Sequence, residues 1–210
     1  MENNRRLNVL LESFETLVQG NIENDLGDIV KIIGQISKYN IDIALELWRK
    51  LILKNKNLLF NECYAHFLTY DIISNFEKNI SYAEIVNFIF KDAELSKLCF
   101  GDNVDADIME MPINCLKQQM YEQAIKFYEL IIESPRKYQR WIGSKKYIGE
   151  LSKDEKIGYI FESGDTYGYF DNKSIEIMYS WIYDVQNEKI KASLNSIMIS
   201  IEEAHDEEGA

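Results

Sequence analysis

Hydrophobic residues recur every three or four positions along most of this chain, which is the spacing of an amphipathic helix. In the clearest example, residues 120–135, one apolar stripe is formed by Tyr121, Ala124, Ile125, Tyr128, Ile131 and Ile132. Pro135 ends that helix, because proline cannot continue its hydrogen-bonded ladder. The same spacing predicts helices over residues 7–18, 22–39, 40–54, 57–79, 82–90, 93–98, 113–119 and 172–201.

Several residues refine these boundaries. Ser81 and Glu84 have the spacing of a capping box at the start of the helix over 82–90. Gly27 and Gly34 weaken their helix by roughly 1 kcal/mol each relative to alanine, or allow a neighbouring helix to come close. A break is expected near residues 186–187, and the stretches 113–119 and 120–135 can join into one long helix. The buried positions expected after residue 171 are Ile175, Met178, Tyr179, Ile182, Tyr183, Ile190, Leu194, Ile197 and Ile201.

Two regions interrupt the helical periodicity. Residues 101–112 form the first clear break, and residues 136–171 are rich in glycine and aromatic side chains. Within the second region, residues 157–161 and 167–170 can pair as a short β-hairpin, and the alternative is an ordered loop packed by its tyrosines. We therefore expect a mainly α-helical fold of stacked antiparallel hairpins.

The domain organisation follows from these interruptions. We expect a single α-helical domain over 1–203 with a sub-boundary at 101–112. An aromatic insertion occupies 136–171, and the last residues, 204–210, form an acidic, frayed tail.

A packing pattern occurs in two of the predicted helices. Ala44 and Trp48 align with Ala124 and Tyr128, a small residue followed by an aromatic residue four positions later. This pattern resembles the second helix of a tetratricopeptide repeat, in which a proline closes the unit as Pro135 does here. The spacing of about two 40-residue units is similar to HEAT-type hairpins, and the first-helix tetratricopeptide signature is absent. The resemblance covers about 30 residues and implies stacked helical hairpins.

The charge of the chain changes the functional picture. The 210 residues have a formal net charge of −12, which repels nucleic-acid phosphates and anionic membranes and attracts basic proteins. The alternative is that this charge only keeps the protein soluble. The abundance of Asn, Lys, Ile and Tyr is typical of an AT-rich genome and indicates a bacterial or phage source.

Cysteine usage and hydropathy indicate a compartment. Cys63, Cys99 and Cys115 are widely spaced with no CxxC pair, so neither a disulfide framework nor a zinc site is expected. Reduced thiols fit the cytoplasm. The first residues read as an amphipathic helix rather than a signal peptide, and no run approaches the roughly 18 apolar residues of a membrane span. We expect no membrane association and no cofactor.

Catalytic motifs are missing from the sequence. His66 and His205 are the two histidines, and neither has a cysteine or carboxylate at a spacing that suggests a nucleophilic triad. Phosphate-binding glycine motifs and HExxH are also absent. The sequence therefore predicts a protein that is not an enzyme.

The first break in periodicity is an acidic connector. A calcium-binding loop that started at Asn103 would need glycine where Ile108 lies and glutamate where Asn114 lies, so calcium is disfavoured. The connector is instead a docking patch or a solvated link. Its acidic side chains are Asp102, Asp105, Asp107 and Glu110.

The aromatic region provides a second set of candidate partner-binding residues. Tyrosine gives a large contact area at low entropic cost, and carboxylates add charge, so this segment is typical of a binding surface. The alternative is that its two carboxylates perform acid–base chemistry with separated pKa values. The residues are Glu162, Asp165, Tyr167 and Tyr169.

The segment 136–147 is basic and aromatic, a combination that single-stranded nucleic-acid sites use. In a chain this acidic, we interpret it as internal, with its cations placed at the end of the helix that contains Ile132.

These observations favour an acidic cytoplasmic protein that binds a basic protein. In its most concrete form, this is a bacterial or phage inhibitor or immunity-type protein that covers the nucleic-acid-facing surface of a toxin or nuclease. The alternatives are a helical-repeat adaptor that binds a peptide and an enzyme with an unrecognised carboxylate site.

Overall fold

The computed structural model describes the backbone of residues 2–101, 107–134, 137–142, 145–164, 166 and 168–208. The side chains at 62, 101, 107, 137–142, 145–148 and 205–208 are not among those described. This part of the chain is mainly α-helical with one strand pair, which confirms the predicted fold class. The chain divides into two compact units, Met1–Asp105 and Ala106–Ala210. The single domain over 1–203, its sub-boundary and its insertion stay predictions.

The first unit is built from α-helices with two π-helical segments. Asn21 and Asn40 cap α2 (Ile22–Ile36) and α3 (Ile41–Lys54), and Ser81 with Glu84 forms the predicted capping box of α6 (Tyr82–Phe90). The helices are α1 (Glu2–Gln19), α2 (Ile22–Ile36), α3 (Ile41–Lys54), α4 (Glu62–His66), α5 (Ile72–Phe76), α6 (Tyr82–Phe90) and α7 (Ala93–Ser96). A 3-10 turn covers Lys56–Phe60, and the π-helical segments are Phe67–Asp71 and Lys97–Gly101.

The core of the first unit surrounds Trp48. Its indole is fully buried, meets Phe76 edge-on with ring centroids 5.7 Å apart, and donates a hydrogen bond of 2.6 Å to the Leu68 carbonyl. That carbonyl lies in the π-helical segment, where the wider turn disturbs the regular ladder. The helix predicted over 57–79 is thus confirmed over 62–76, where α4, the π-helical segment and α5 follow one another without a gap. It is wrong before residue 61, where the chain forms a 3-10 turn.

Gly34 permits the close approach expected of it. A Cβ atom at this position would lie 3.2 Å from the side chain of Asn75, so α2 passes close to α5. Gly27 has open space around it, since a Cβ there would meet nothing within 4 Å.

The second unit combines short and long helices with a strand pair. Its helices are α8 (Met111–Lys117), α9 (Tyr121–Glu133), α10 (Lys153–Ser163), α11 (Asn172–Tyr183) and α12 (Glu188–Glu208), preceded by a 3-10 turn at Asp107–Glu110. The antiparallel strands are β1 (Lys137–Ile142) and β2 (Lys145–Glu150). The break expected near residues 186–187 is confirmed between α11 and α12. The helix α12 continues to Glu208, and fraying of the tail stays a prediction.

Two expectations about α8 and α9 are wrong. The helices do not join, because Gln119 adopts a left-handed conformation with a φ of 57° and turns the chain between them. The buried face of α9 is formed by Ala124, Phe127 and Ile131, whereas Ile125 is 39% exposed. The stripe predicted for this helix was thus rotated toward its solvent side.

The predicted hairpin over 157–170 is also wrong. Residues 157–161 lie within α10, which starts with a capping box formed by Ser152 and Glu155. Because this capping box satisfies the first backbone N–H groups, it favours a helix over a strand at this point. The strand pair instead occupies the basic segment, with Lys137 opposite Glu150 and Ile142 opposite Lys145.

The end of α9 is neutralised by a buried lysine. Lys156 is 5% exposed, and its ammonium donates hydrogen bonds to the carbonyl oxygens of Ile132, at 2.9 Å, and Ser134. The negative end of the helix dipole favours a cation there. The cation at this helix end thus comes from α10. The prediction that cations of the segment 136–147 lie at this helix end concerns side chains outside the described set.

Candidate functional site

The surface formed by α11 and α12 carries two exposed tyrosines and three carboxylates. Tyr183 is 81% exposed and Tyr179 is 39% exposed, one helical turn apart on α11. On α12, Ile199 is 54% exposed. We call this set the tyrosine surface, and its members are Glu176, Tyr179, Tyr183, Ile199, Glu202 and Glu203.

Helical geometry places these residues on shared faces. Glu176, Tyr179 and Tyr183 follow the i, i+3, i+7 spacing of one helix face, and Glu202 and Glu203 lie one turn after Ile199. The opposite face of α11 is buried because Met178, Trp181 and Ile182 pack into the core. Trp181 stacks on the half-buried Tyr128, with ring centroids 4.6 Å apart and planes at 3°.

Both ends of α11 are fixed by hydrogen bonds. At its start, the Asp171 carboxylate accepts bonds from the Ser174 backbone N–H, at 2.8 Å, and from the Tyr121 hydroxyl. After its end, the Asp154 carboxylate accepts bonds from the backbone N–H groups of Gln186, at 3.0 Å, and Asn187, at 2.7 Å. These contacts present the tyrosine surface on a fixed pair of helices.

The electrostatics of this surface suit a cationic partner. The hydroxyl of Tyr179 donates a 2.9 Å hydrogen bond to Glu202. Partial burial, and then this bond, raise the pKa of Tyr179, so the phenol stays protonated at neutral pH. The carboxylates attract lysine and arginine, and the tyrosine rings accept cations on their faces.

The burial predicted for both tyrosines of this surface is wrong. Tyr179 and Tyr183 were expected to be buried, and the structure exposes them while burying Trp181. Each tyrosine follows an apolar residue, Met178 or Ile182, so periodicity alone could not decide which of the two adjacent positions faces inward. The size of Trp181 is the signal that would have identified the core side.

Three of the predicted partner-binding residues have described side chains, and they lie on separate segments of the second unit. Glu110 is half-buried at the start of α8, Glu162 is exposed on α10, and Tyr169 is 46% exposed before α11. The predicted residues Asp102, Asp105, Asp165 and Tyr167, and the side chain of Asp107, lie outside the described residues. Their role in partner binding stays a prediction.

Glu162 lines an open cleft between α10 and α12. The cleft has a volume of about 300 Å³ and is also lined by Glu155, Tyr159, Lys189 and Ser193. Glu155 is occupied by the capping box, where its carboxylate accepts the Ser152 backbone N–H at 2.9 Å. Asp165, the second carboxylate of the enzyme hypothesis, is not described, so the cleft shows one half of that pair.

His66 has a carboxylate neighbour that the sequence did not reveal. The π-helical segment brings Asp71 beside it, with His66 Nε2 3.6 Å from Asp71 Oδ1, and Tyr70 stacks on its ring at 5.2 Å. In a regular α-helix, residues five positions apart point to different sides. Within the described residues, no group of three His, Cys, Asp or Glu side chains is placed to bind a metal ion.

Among the helices of the described residues, none has both the length and the apolar composition of a membrane span.

Comparisons with known proteins give no family for this chain. No protein-family model matches the chain, and neither a curated protein nor a solved structure matches it.

Proposed function

We propose that this chain is an acidic cytoplasmic protein that binds a basic protein partner through the tyrosine surface. In its most concrete form, it is a bacterial or phage inhibitor or immunity-type protein that neutralises a toxin or nuclease. The observation that supports this most directly is the exposure of Tyr183 and Tyr179 on a helix face shared with Glu176.

Tyrosine is enriched among the residues that dominate binding energies, because it contributes a large rigid contact area and a polar group. An 81% exposed tyrosine makes little contact with its own protein, so folding does not account for its position. The adjacent carboxylates add complementarity to lysine and arginine. The net charge of −12 accelerates the encounter with a basic protein at low ionic strength.

Affinity capture tests this proposal. The immobilised full chain is incubated with lysate of the source organism at low salt, eluted with a salt gradient, and the retained proteins are identified by mass spectrometry. We expect one stoichiometric basic protein that is released as salt rises. Loss of retention in Tyr183→Ala assigns the contact to the tyrosine surface.

Phe60→Ala is the matched control, because Phe60 is an exposed aromatic residue of the first unit, 60% exposed, that lies outside the tyrosine surface. It should retain the same protein as the unmodified chain. The proposal fails if no basic protein is retained, or if Tyr183→Ala and Phe60→Ala weaken its retention equally.

A further inference from the structure

An open groove runs between α1 and α2 in the first unit. It has two adjoining parts of about 560 and 490 Å³, and Gln35 lines both. The larger part lies where α1 begins and α2 ends, and the smaller part extends toward Ser13 and Leu17 on α1 and Lys31 and Ile32 on α2. The larger part is lined by Arg5, Arg6, Val9, Leu10, Lys38 and Tyr39.

Apolar side chains of α1 remain incompletely covered along this groove. Within α1, whose residues are all described, Phe14 alone is buried. Leu10 and Leu17 are half-buried, and Val9 is 55% exposed. Tyr39 adds an exposed aromatic ring from the connection after α2. The groove therefore presents an apolar floor to solvent.

The larger part of the groove is cationic although the chain is strongly acidic. Arg6 pairs with Glu2 at 2.7 Å, but within the described part of the chain no carboxylate lies within ion-pair distance of Arg5 or Lys38. Arg5 lies in the first turns of α1, where the positive end of the helix dipole disfavours a cation. Arg5 therefore does not stabilise α1, so the stability of this helix does not explain why an arginine is at this position.

We propose that the groove binds an amphipathic helix from a partner protein, with aliphatic residues on one face and carboxylates in its last turn. The aliphatic face packs on Val9, Leu10 and Leu17. The carboxylates pair with Arg5 and Lys38, and the negative end of the partner helix dipole lies at the same cations. From residue 5 to residue 17, α1 offers a length of about 18 Å, which matches three to four helical turns.

A selection experiment tests this inference directly. An unbiased display library of helical peptides about 18 residues long is selected on the full-length protein. We expect the enriched peptides to share apolar residues at i, i+3, i+4 and i+7, with Asp or Glu in the last turn. The best peptide is then titrated against the variants by fluorescence anisotropy.

Charge reversal of the two groove cations, Arg5→Glu with Lys38→Glu, should weaken the binding of that peptide about tenfold or more. Lys78→Glu with Lys91→Glu is the matched control, because it reverses two exposed lysines of the same unit that lie outside the groove, and it should change the affinity less than twofold. Arg5→Gln with Lys38→Gln, which adds no negative charge, covers the case in which the reversal variant does not fold.

Three outcomes would overturn the inference. The first is that no helical peptide is enriched, and the second is that enriched peptides lack acidic residues. The third is that the groove and control variants bind the peptide equally while melting at the same temperature.

Discussion

The first two helices and the last two helices of the chain expose apolar side chains in opposite electrostatic settings. The groove of α1 and α2 places Val9 and Tyr39 beside Arg5 and Lys38. The tyrosine surface of α11 and α12 instead contains three carboxylates, one of which, Glu202, accepts a hydrogen bond from Tyr179. Exposed aromatic residues therefore occur both in the cationic groove and on the acidic tyrosine surface.

This difference shows that a net charge of −12 describes the chain poorly at the scale of one binding site. Exposed charges farther apart than about 8 Å are largely screened at physiological salt, so a partner responds to the charges near its own contact. The tyrosine surface follows the sign of the whole chain, and the groove opposes it. Partner chemistry should thus be deduced from each surface separately.

The largest expected effect is a difference in unfolding free energy between variants of a buried and an exposed aromatic residue of the second unit. Trp181→Ala should lower the free energy of unfolding by about 3–5 kcal/mol, because it removes a buried ring stacked on Tyr128. Tyr183→Ala should change it by less than about 0.5 kcal/mol. Urea unfolding followed by far-UV circular dichroism measures both. A loss above about 2 kcal/mol in Tyr183→Ala would mean that this tyrosine packs into the core.

Much of the scaffold was predictable because its signals are local. The capping box at Ser81 and the break between α11 and α12 depend on a few adjacent residues, and the structure contains both. Overall helicity followed from the periodicity and the scarcity of proline. The predicted hairpin is wrong because the capping box formed by Ser152 and Glu155 starts a helix there.

The candidate site was less predictable because it depends on tertiary packing. The contact of His66 with Asp71 requires the π-helical segment, and no sequence pattern predicts that segment. The exposure of Tyr179 and Tyr183 depends on the contact between Trp181 and Tyr128, which are 53 positions apart in the chain. Periodicity cannot rank two adjacent apolar positions when only one of them meets such a partner.

Two lysines distinguish a cation committed to the fold from one open to a partner. Lys156→Met should cost about 2–3 kcal/mol of unfolding free energy, because the carbonyls of Ile132 and Ser134 would lose this buried donor. Lys38→Met should change stability by less than about 0.5 kcal/mol, since Lys38 is exposed at the groove.

Thermal melting and urea unfolding give the comparison between the two lysine variants. Equal losses for both would show that Lys38 also supports the fold, which would remove one cation from the argument for the groove.

Crossed charge reversals should separate the two surfaces. Glu176→Lys with Glu203→Lys should slow association with the captured basic protein about tenfold at low salt and leave the acidic helical peptide unaffected. Arg5→Glu with Lys38→Glu should do the reverse. Surface plasmon resonance at two salt concentrations measures the rates. If either pair of reversals altered both interactions alike, the surfaces would not act separately.

The smallest expected effect compares the capping aspartates of the two units. In Asp171, desolvation alone would raise the pKa, but hydrogen bonds from Tyr121 and Ser174 outweigh it and lower the pKa below the usual range. In Asp92, the backbone N–H of Leu95 is the largest cause of a lowered pKa, and Arg49 adds to it with an ion pair of 2.7 Å.

A carboxylate whose folded pKa is depressed stabilises the fold above its unfolded pKa, and this stabilisation is lost as pH falls through the folded value. Asp171→Asn and Asp92→Asn keep a capping acceptor but remove the charge, so each should cost less than about 1 kcal/mol at pH 7 and progressively less toward pH 3. High salt should reduce the cost of Asp92→Asn more, because Arg49 pairs directly with Asp92, whereas the charge of Lys173 is the smallest cause of the lowered pKa of Asp171, after neutral donors. Urea unfolding at both pH values and two salt concentrations tests this, and equal salt sensitivity would show that the Arg49 charge does not contribute to the Asp92 cap.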